Sequence, residues 1–335
     1  MSKHKRRPNL AILSQYGIVF FLALLCAYFT WRTGGIFATP ENLANVSRQI
    51  AVNTILAVGL TFVIITGGID LSVGSVLALA GVISMTVLRD GFAIGAFTLL
   101  PVLPILLAIP ISAVIASAVG GITGSFSGLV ITRFRIAPFV ATLAMMTIAR
   151  GLAYVYTDGR PVSPLPHEVG DFGAAELSLG LIHIPVLVLV ALMVVAVGHI
   201  VLSRTDFGRH VYAIGGNEEA ARLSGINVSL AKLKVYALCG LLAGLSGMLL
   251  AARLASGDPK SGMMFELNAI AAVVLGGTSL MGGRGTVIGT LLGALVIGVL
   301  DNGLILLDVS AFYQMVAKGF VILAAVILDR ITRTD

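Results

Sequence analysis

Charged residues are scarce in this sequence. They make up only 11% of the 335 amino acids, whereas 57% are hydrophobic, and the mean hydropathy is +1.01. A soluble domain of this size carries about twice as much charge on average, so the composition excludes an ordinary soluble globular protein. We predict an all-α polytopic membrane protein that forms one transmembrane domain over residues 1–335.

Cysteine and the motifs of common enzymes are also missing or rare. The only two cysteines, Cys26 and Cys239, lie far apart in apolar stretches, so we predict reduced thiols rather than a disulfide. The sequence has no Gly-x4-Gly-Lys-Ser/Thr phosphate loop, because 282–286 (GGRGT) lacks the lysine. It also has no Gly-x-Ser-x-Gly or His-Glu-x-x-His motif, and its five histidines show no metal-ligand spacing. We expect neither an enzyme nor a metal or cofactor site in this chain.

Long apolar tracts are what the sequence has in abundance. A membrane-spanning helix needs roughly 20 predominantly apolar residues. Nine apolar windows of about this length are clear, and the first begins at residue 16. One further tract, 92–132, is twice that long and contains three prolines, so it predicts either one crossing with a re-entrant piece or two crossings. The first window follows a basic segment but has no clear cleavage site, so we interpret it as a retained helix. The nine clear windows are 16–31, 49–66, 71–88, 138–156, 182–202, 233–254, 267–281, 287–307 and 312–328.

Basic residues mark one side of the membrane. They cluster before the first window, in the loop 203–234 and at the C-terminus, and basic loops are normally cytoplasmic. Even numbers of crossings must then separate these clusters, which favours one net crossing in 92–132 and about ten spans overall. Both termini are predicted to be cytoplasmic, and the acidic segment 157–181 falls on the opposite face. The net charge of +6 therefore reflects topology and not nucleic-acid binding.

Two stretches resemble each other and interrupt apolar helices. GLTFVIITGGIDLSVGS (59–75) and AIAAVVLGGTSLMGGRG (269–285) each lead from an apolar helix into Gly-Gly-x-x-Leu. Transporters often form their sites where helices are broken in corresponding repeats. Asp70 lies in the first break, where it either caps the helix that starts at Leu71 or lines a translocation path. The candidate path residues are Asn53, Asp70, Ser72, Asn268 and Asn302.

Two basic residues, Arg150 and Lys318, occur within apolar sequence. For both, snorkelling or pairing with a backbone carbonyl is favoured over substrate contact.

The loop 203–234 contains a predicted short helix outside the bilayer. A flexible Gly-Gly precedes Asn217, which suits an N-cap, and Gly225 suits the C-terminal end. A helix of about two turns is not stable alone, so it packs either on its own protein or in a groove of a partner. The residues of this segment are Gly215, Gly216, Asn217, Glu218, Glu219, Ala220, Ala221, Arg222, Leu223, Ser224, Gly225 and Ile226.

This segment resembles the coupling helix of bacterial ABC-importer permeases. The stretches GGIDLSVGS, IAPFVATLAMMTIARGLAYV, GGNEEAARLSGINV, ELNAIAAVVLGGTSLMGGRGTVIGTLLGALVIGVLDNGLILL and KGFVILAAVILD are similar, in order and spacing, to the ribose-type monosaccharide permease family. The similarity extends from about residue 42 to 329. One departure is Ser127-Gly128, where many members have Asn-Gly, whereas the later DNGLILL keeps Asn302.

The resemblance implies a type II ABC importer fold, the bacterial cytoplasmic (inner) membrane and a binding-protein-dependent mechanism. It implies a second permease copy or paralogue, ABC ATPase subunits that dock on the coupling helices, and an extracytoplasmic sugar-binding protein. ATP and Mg belong to the partner ATPase, and residues 215–226 are the ATPase-coupling residues. The alternative from another class is a secondary transporter or facilitator for a small neutral solute, which would work without ATPase partners.

Overall fold

The computed structural model describes residues 10–94, 97–100, 102–180 and 182–331. The N-terminal basic cluster and Arg333 lie outside these residues. The described part is built mainly from helices, with one 3-10 turn at Ile36–Ala38. The helices are α1 (Leu10–Arg32), α2 (Pro40–Ile65), α3 (Val73–Asp90), α4 (Ile105–Phe134), α5 (Pro138–Thr157), α6 (His167–Ala174), α7 (Val186–Arg204), α8 (Asp206–Gly216), α9 (Glu218–Leu223), α10 (Val228–Arg253), α11 (Phe265–Leu275), α12 (Val287–Leu306) and α13 (Ala311–Ile331).

Two short antiparallel hairpins connect long helices. β1 (Phe92–Ile94) pairs with β2 (Phe97–Leu100) before α4, and β3 (Glu176–Leu179) pairs with β4 (Ile182–Pro185) before α7. The described residues of the ambiguous tract 92–132 form the first hairpin and most of α4. That tract contains one long helix, α4, which includes Pro110, and the described residues of the tract show no second one.

Seven of the described helices are long and apolar enough to cross a membrane, namely α2, α3, α4, α5, α7, α10 and α12. Two shorter apolar helices, Gly17–Arg32 and Phe265–Leu275, accompany them. The predicted all-α polytopic membrane protein is therefore confirmed.

The core is formed by α2, α3 and α10, which are mostly buried, while α4, α5 and α7 have long exposed apolar faces. Small residues bring α4 and α10 together. A Cβ atom on Gly120 would lie 2.0 Å from the carbonyl oxygen of Gly240, and a Cβ on Gly240 would lie 2.1 Å from that of Gly120. Helices in lipid associate through such close backbone packing, because they gain little from the hydrophobic effect.

The two similar stretches share one local structure. Gly67, two residues after the end of α2, has φ 77°, and Gly277, two residues after the end of α11, has φ 84°. In each case the glycine N–H bonds to the carbonyl three residues earlier, and the next N–H bonds to the carbonyl five residues earlier. This is the Schellman motif, which ends a helix at a left-handed residue. Gly67 therefore corresponds structurally to Gly277. The Gly-Gly-x-x-Leu pattern would instead align Gly67 with Gly276, so the sequence match and the structural match differ by one residue.

Candidate coupling site

A six-residue helix, α9, forms the centre of the predicted coupling segment. Asn217 is its N-cap, with the side-chain oxygen accepting a hydrogen bond from the N–H of Ala220 at 3.0 Å. At the other end Gly225 has φ 85° and donates to the carbonyl of Arg222, and Ile226 donates to that of Ala221. The helix is present with the predicted residues at both ends, although it is shorter than two turns of regular helix.

α9 has one buried face and one exposed face. Ala221 is buried in a small cluster with Ile214, Val228 and Ala231, which belong to α8 and α10. Leu223, in contrast, is 83% exposed. One face therefore packs on the chain itself, and the other leaves an apolar side chain free to contact another surface.

Ion pairs attach α9 to its neighbour. Lys232 on α10 lies 2.6 Å from Glu218, and Arg222 pairs with Glu218 at 3.3 Å and with Glu219 at 3.4 Å. The acids in the first turn and the arginine in the last turn also suit the helix dipole. The Arg222 pairs are exposed and lie within α9, and such pairs contribute only about 0–1 kcal/mol each. The part-buried Lys232–Glu218 pair is the one that joins α9 to α10.

The preceding segment is a helix rather than a flexible loop. Gly215 and Gly216 form the last turn of α8, so the prediction of a flexible Gly-Gly is wrong. The reason is tertiary packing. Gly215 lies against the end of α2, where a Cβ atom would be 1.8 Å from the carbonyl oxygen of Ile65. Phe207 of α8 stacks on Phe62 of α2, with ring centroids 6.1 Å apart.

α8 also contacts the segment between α11 and α12, residues 276–286. The Tyr212 hydroxyl donates to the carbonyl of Gly285 at 2.7 Å, and burial raises the pKa of this phenol. Gly283 N–H donates to Ile65 O at 2.8 Å, which joins this segment to the end of α2. The sequence gives no signal for Tyr212, because its partner lies 73 residues away. The two helix interruptions, 66–72 between α2 and α3 and 276–286 between α11 and α12, thus both lie close to α8, the helix that leads into α9.

The first break places Asp70 and Ser72 in direct contact. Asp70 is 1% exposed, and its Oδ1 accepts from the Ser72 N–H at 2.8 Å and from the Ser72 hydroxyl at 2.6 Å. Ser72, not Asp70, is the N-cap position, and α3 begins at Val73 rather than at Leu71. Asp70 precedes the N-cap residue by two positions, and its carboxylate accepts the hydrogen bonds of that residue from outside the helix.

The remaining predicted path residues lie on other elements. Asn302 exchanges two hydrogen bonds of 3.0 Å with Asn42, which joins α12 to the first turn of α2. Asn53 on α2 and Asn268 on α11 are half-buried. Within the described ranges, only Asp70 and Ser72 of the five candidates are hydrogen-bonded to each other.

One further prediction on a polar residue has an outcome. Lys318 pairs with the Asp301 carboxylate at 3.0 Å, so its partner is an acid and not a backbone carbonyl. Ser127 is 2% exposed, and its hydroxyl has no hydrogen-bond partner among the described residues.

Comparison with known proteins agrees with the resemblance. A family model described as "Branched-chain amino acid transport system / permease component" matches residues 42–326. The ribose import permease protein RbsC of Haemophilus influenzae is 47% identical over 88% of this chain and 86% of its own length. That of Bacillus subtilis is 49% identical over the same shares. The xylose transport system permease protein XylH of Escherichia coli is 33% identical over 96% and 93%. No solved structure matches.

Proposed function

The chain belongs to the family of branched-chain amino acid transport system permease components, and on that premise we propose that it is the membrane-spanning subunit of an ATP-driven monosaccharide importer. Relatives are named as a ribose import permease and a xylose transport system permease, so the proposed substrate is a ribose-like sugar or a related polyol. The chain itself performs no chemistry and only conducts the sugar. ATP is hydrolysed by a separate subunit.

The observation that carries the proposal is the unit formed by α8 and α9. α9 offers Leu223 to a partner, while α8 contacts both the end of α2 and the segment 276–286. A force on α9 therefore reaches the end of α2 through Gly215 and the segment 276–286 through the Tyr212 side chain. Packed elements of this kind move as rigid bodies between discrete states. We assign residues 215–226 as the ATPase-docking segment, as their resemblance to a coupling helix implies.

The proposed topology has ten spans. The seven long apolar helices, together with α1, α11 and α13, bring the chain ten times across the bacterial inner membrane, with both termini and α9 in the cytoplasm. The proposed complex contains a second copy of this chain or a paralogue, two ATPase subunits and an extracytoplasmic sugar-binding protein. ATP binding closes the ATPase dimer, and the α9 helices change the access of the cavity between the permeases.

Co-purification with the ATPase tests this assignment. The Leu223→Asp variant places a charge on the exposed face of α9, and we expect it to lose the ATPase while it still inserts and folds. The matched control is Leu177→Asp, which changes a 47% exposed leucine in the hairpin β3–β4. Retention of the ATPase by Leu223→Asp, or equal loss in both variants, would contradict docking on α9.

A further inference from the structure

A positively charged side chain lies where three elements meet inside the bundle. Arg150 is half-buried on α5, a predominantly apolar helix. Its Nη1 donates to the carbonyls of Pro259, at 2.5 Å, and Ser261, at 2.8 Å. Its Nη2 donates to the carbonyl of Gly74, in the first turn of α3, at 3.3 Å. One guanidinium thus joins α5 to α3 and to the segment 254–264 that leads into α11.

The short length of α11 explains why the backbone carbonyls of segment 254–264 need hydrogen-bond donors from the protein. Its 11 residues make a helix about 16 Å long, which cannot cross a hydrocarbon core of about 30 Å. Non-helical residues that flank α11, in 254–264 or in 276–286, must therefore lie within the bilayer and carry the rest of the crossing. Backbone carbonyls at that depth have no water to bond with and must be satisfied by protein. Arg150 supplies donors to two of them, which agrees with the predicted pairing with backbone carbonyls.

Close backbone packing surrounds the same point. A Cβ atom on Gly74 would lie 2.3 Å from the carbonyl oxygen of Gly262 and 2.3 Å from Oε2 of Glu266. Gly262 has φ 71°, and a Cβ there would lie 2.5 Å from the Gly74 carbonyl oxygen. The Glu266 carboxylate brings the opposite charge to the site. α3 and the start of α11 are thus in contact, with Arg150 bonded across the contact.

We propose that Arg150 is a positioning residue for transport, which fastens segment 254–264 and the first turn of α3 to α5 so that the three move as one unit. The inference rests on the proposed function, because it names the elements that move together when the cavity changes its access. It assigns Arg150 no contact with the sugar. Because the guanidinium already donates hydrogen bonds to three backbone carbonyls, its role is to position the backbone and not to bind the substrate.

Amide hydrogen exchange of the full chain in lipid nanodiscs tests the fastening without transport. In Arg150→Gln we expect exchange in 254–264 to accelerate at least about tenfold, as loss of charge-assisted hydrogen bonds implies. Arg150→Lys keeps the charge and should give an intermediate rate. Arg160→Gln, at an exposed position, is the matched control and should leave the rate unchanged. Unchanged exchange in Arg150→Gln would overturn the proposal.

A second variant reaches the same contact from α3. Gly74→Ala places a methyl group against Gly262 and should also accelerate exchange in 254–264. If Arg150→Gln fails to fold, this variant and Arg150→Lys still decide the question. Normal exchange in both would refute the fastening.

Uptake by the reconstituted complex, with ATPase and binding protein, separates positioning from substrate contact. Arg150→Gln should lower the maximal rate at least about tenfold, because the moving unit is loosened, and leave the KM for the loaded binding protein unchanged. A raised KM at an unchanged maximal rate, or full uptake, would overturn the positioning role. Absence of ATP-dependent uptake in the wild-type complex would instead refute the proposed function, while the exchange result would stand.

Discussion

Adjacent glycines at the end of α8 allow a matched test of the coupling unit. In Gly215→Ala, the new methyl group would lie 1.8 Å from Ile65 O and 2.5 Å from Gly283 N, both of which are backbone atoms. Rotation of a side chain cannot relieve this contact, so α8 must move away from α2 or from the segment 276–286. In Gly216→Ala, the methyl group has no heavy atom within 4 Å among the described residues.

The expected energies have opposite signs. Overpacking of a tight contact costs about 1–3 kcal/mol, so Gly215→Ala should be destabilised by that amount. Gly216→Ala replaces an exposed helical glycine and should gain roughly 0.5–1 kcal/mol. The two variants are therefore expected to differ by roughly 1.5–4 kcal/mol, although each adds the same single methyl group.

Thermal unfolding in detergent and ATP-dependent uptake measure the two consequences. We expect Gly215→Ala to unfold at a lower temperature and to transport more slowly, because α8 no longer fits both helix interruptions. Gly216→Ala should match or exceed the wild type in thermal unfolding. Equal melting temperatures and equal uptake for the two variants would refute the argument that α8 is clamped at Gly215.

Three further variants test individual contacts. Asn217→Ala should cost α9 about 1 kcal/mol of cap energy and reduce ATPase binding, whereas Asn217→Asp should not; equal ATPase binding would contradict the cap. Gly225→Val forces a β-branched residue to φ 85° and should slow uptake, while Gly225→Asn is tolerated; equal uptake would show that the left-handed turn is dispensable. Asn302→Leu removes both hydrogen bonds with Asn42, whose side-chain amide keeps only its bond to the Phe37 carbonyl among the described residues, and should lower the unfolding free energy by about 1–3 kcal/mol; an unchanged melting temperature would contradict the pairing.

Local sequence signals predicted local structure well. Asn217 and Gly225 mark the ends of α9 because caps depend on side chains and backbone angles within a few residues. Long apolar runs likewise predicted most of the helices, because a helix satisfies its own backbone in lipid.

Contacts between distant segments were not predictable from one sequence. Asn302 was considered only as a path residue, because nothing in its surroundings indicates Asn42, which lies 260 residues away. Gly215 and Gly216 indicate flexibility in the sequence, since glycine is a poor helix former, but close packing of Gly215 on Ile65 keeps this last turn of α8 helical. Asp70 was a candidate cap by composition, yet the helix begins at Val73, and the carboxylate bonds to Ser72 instead.

Uptake in proteoliposomes tests the central claim most directly. The chain is reconstituted with its ATPase and binding protein, and accumulation of radiolabelled ribose, xylose and related polyols is followed with and without ATP. The account predicts accumulation of one such sugar only when all three components and ATP are present. Equal uptake by the chain alone would contradict it and would indicate a facilitator.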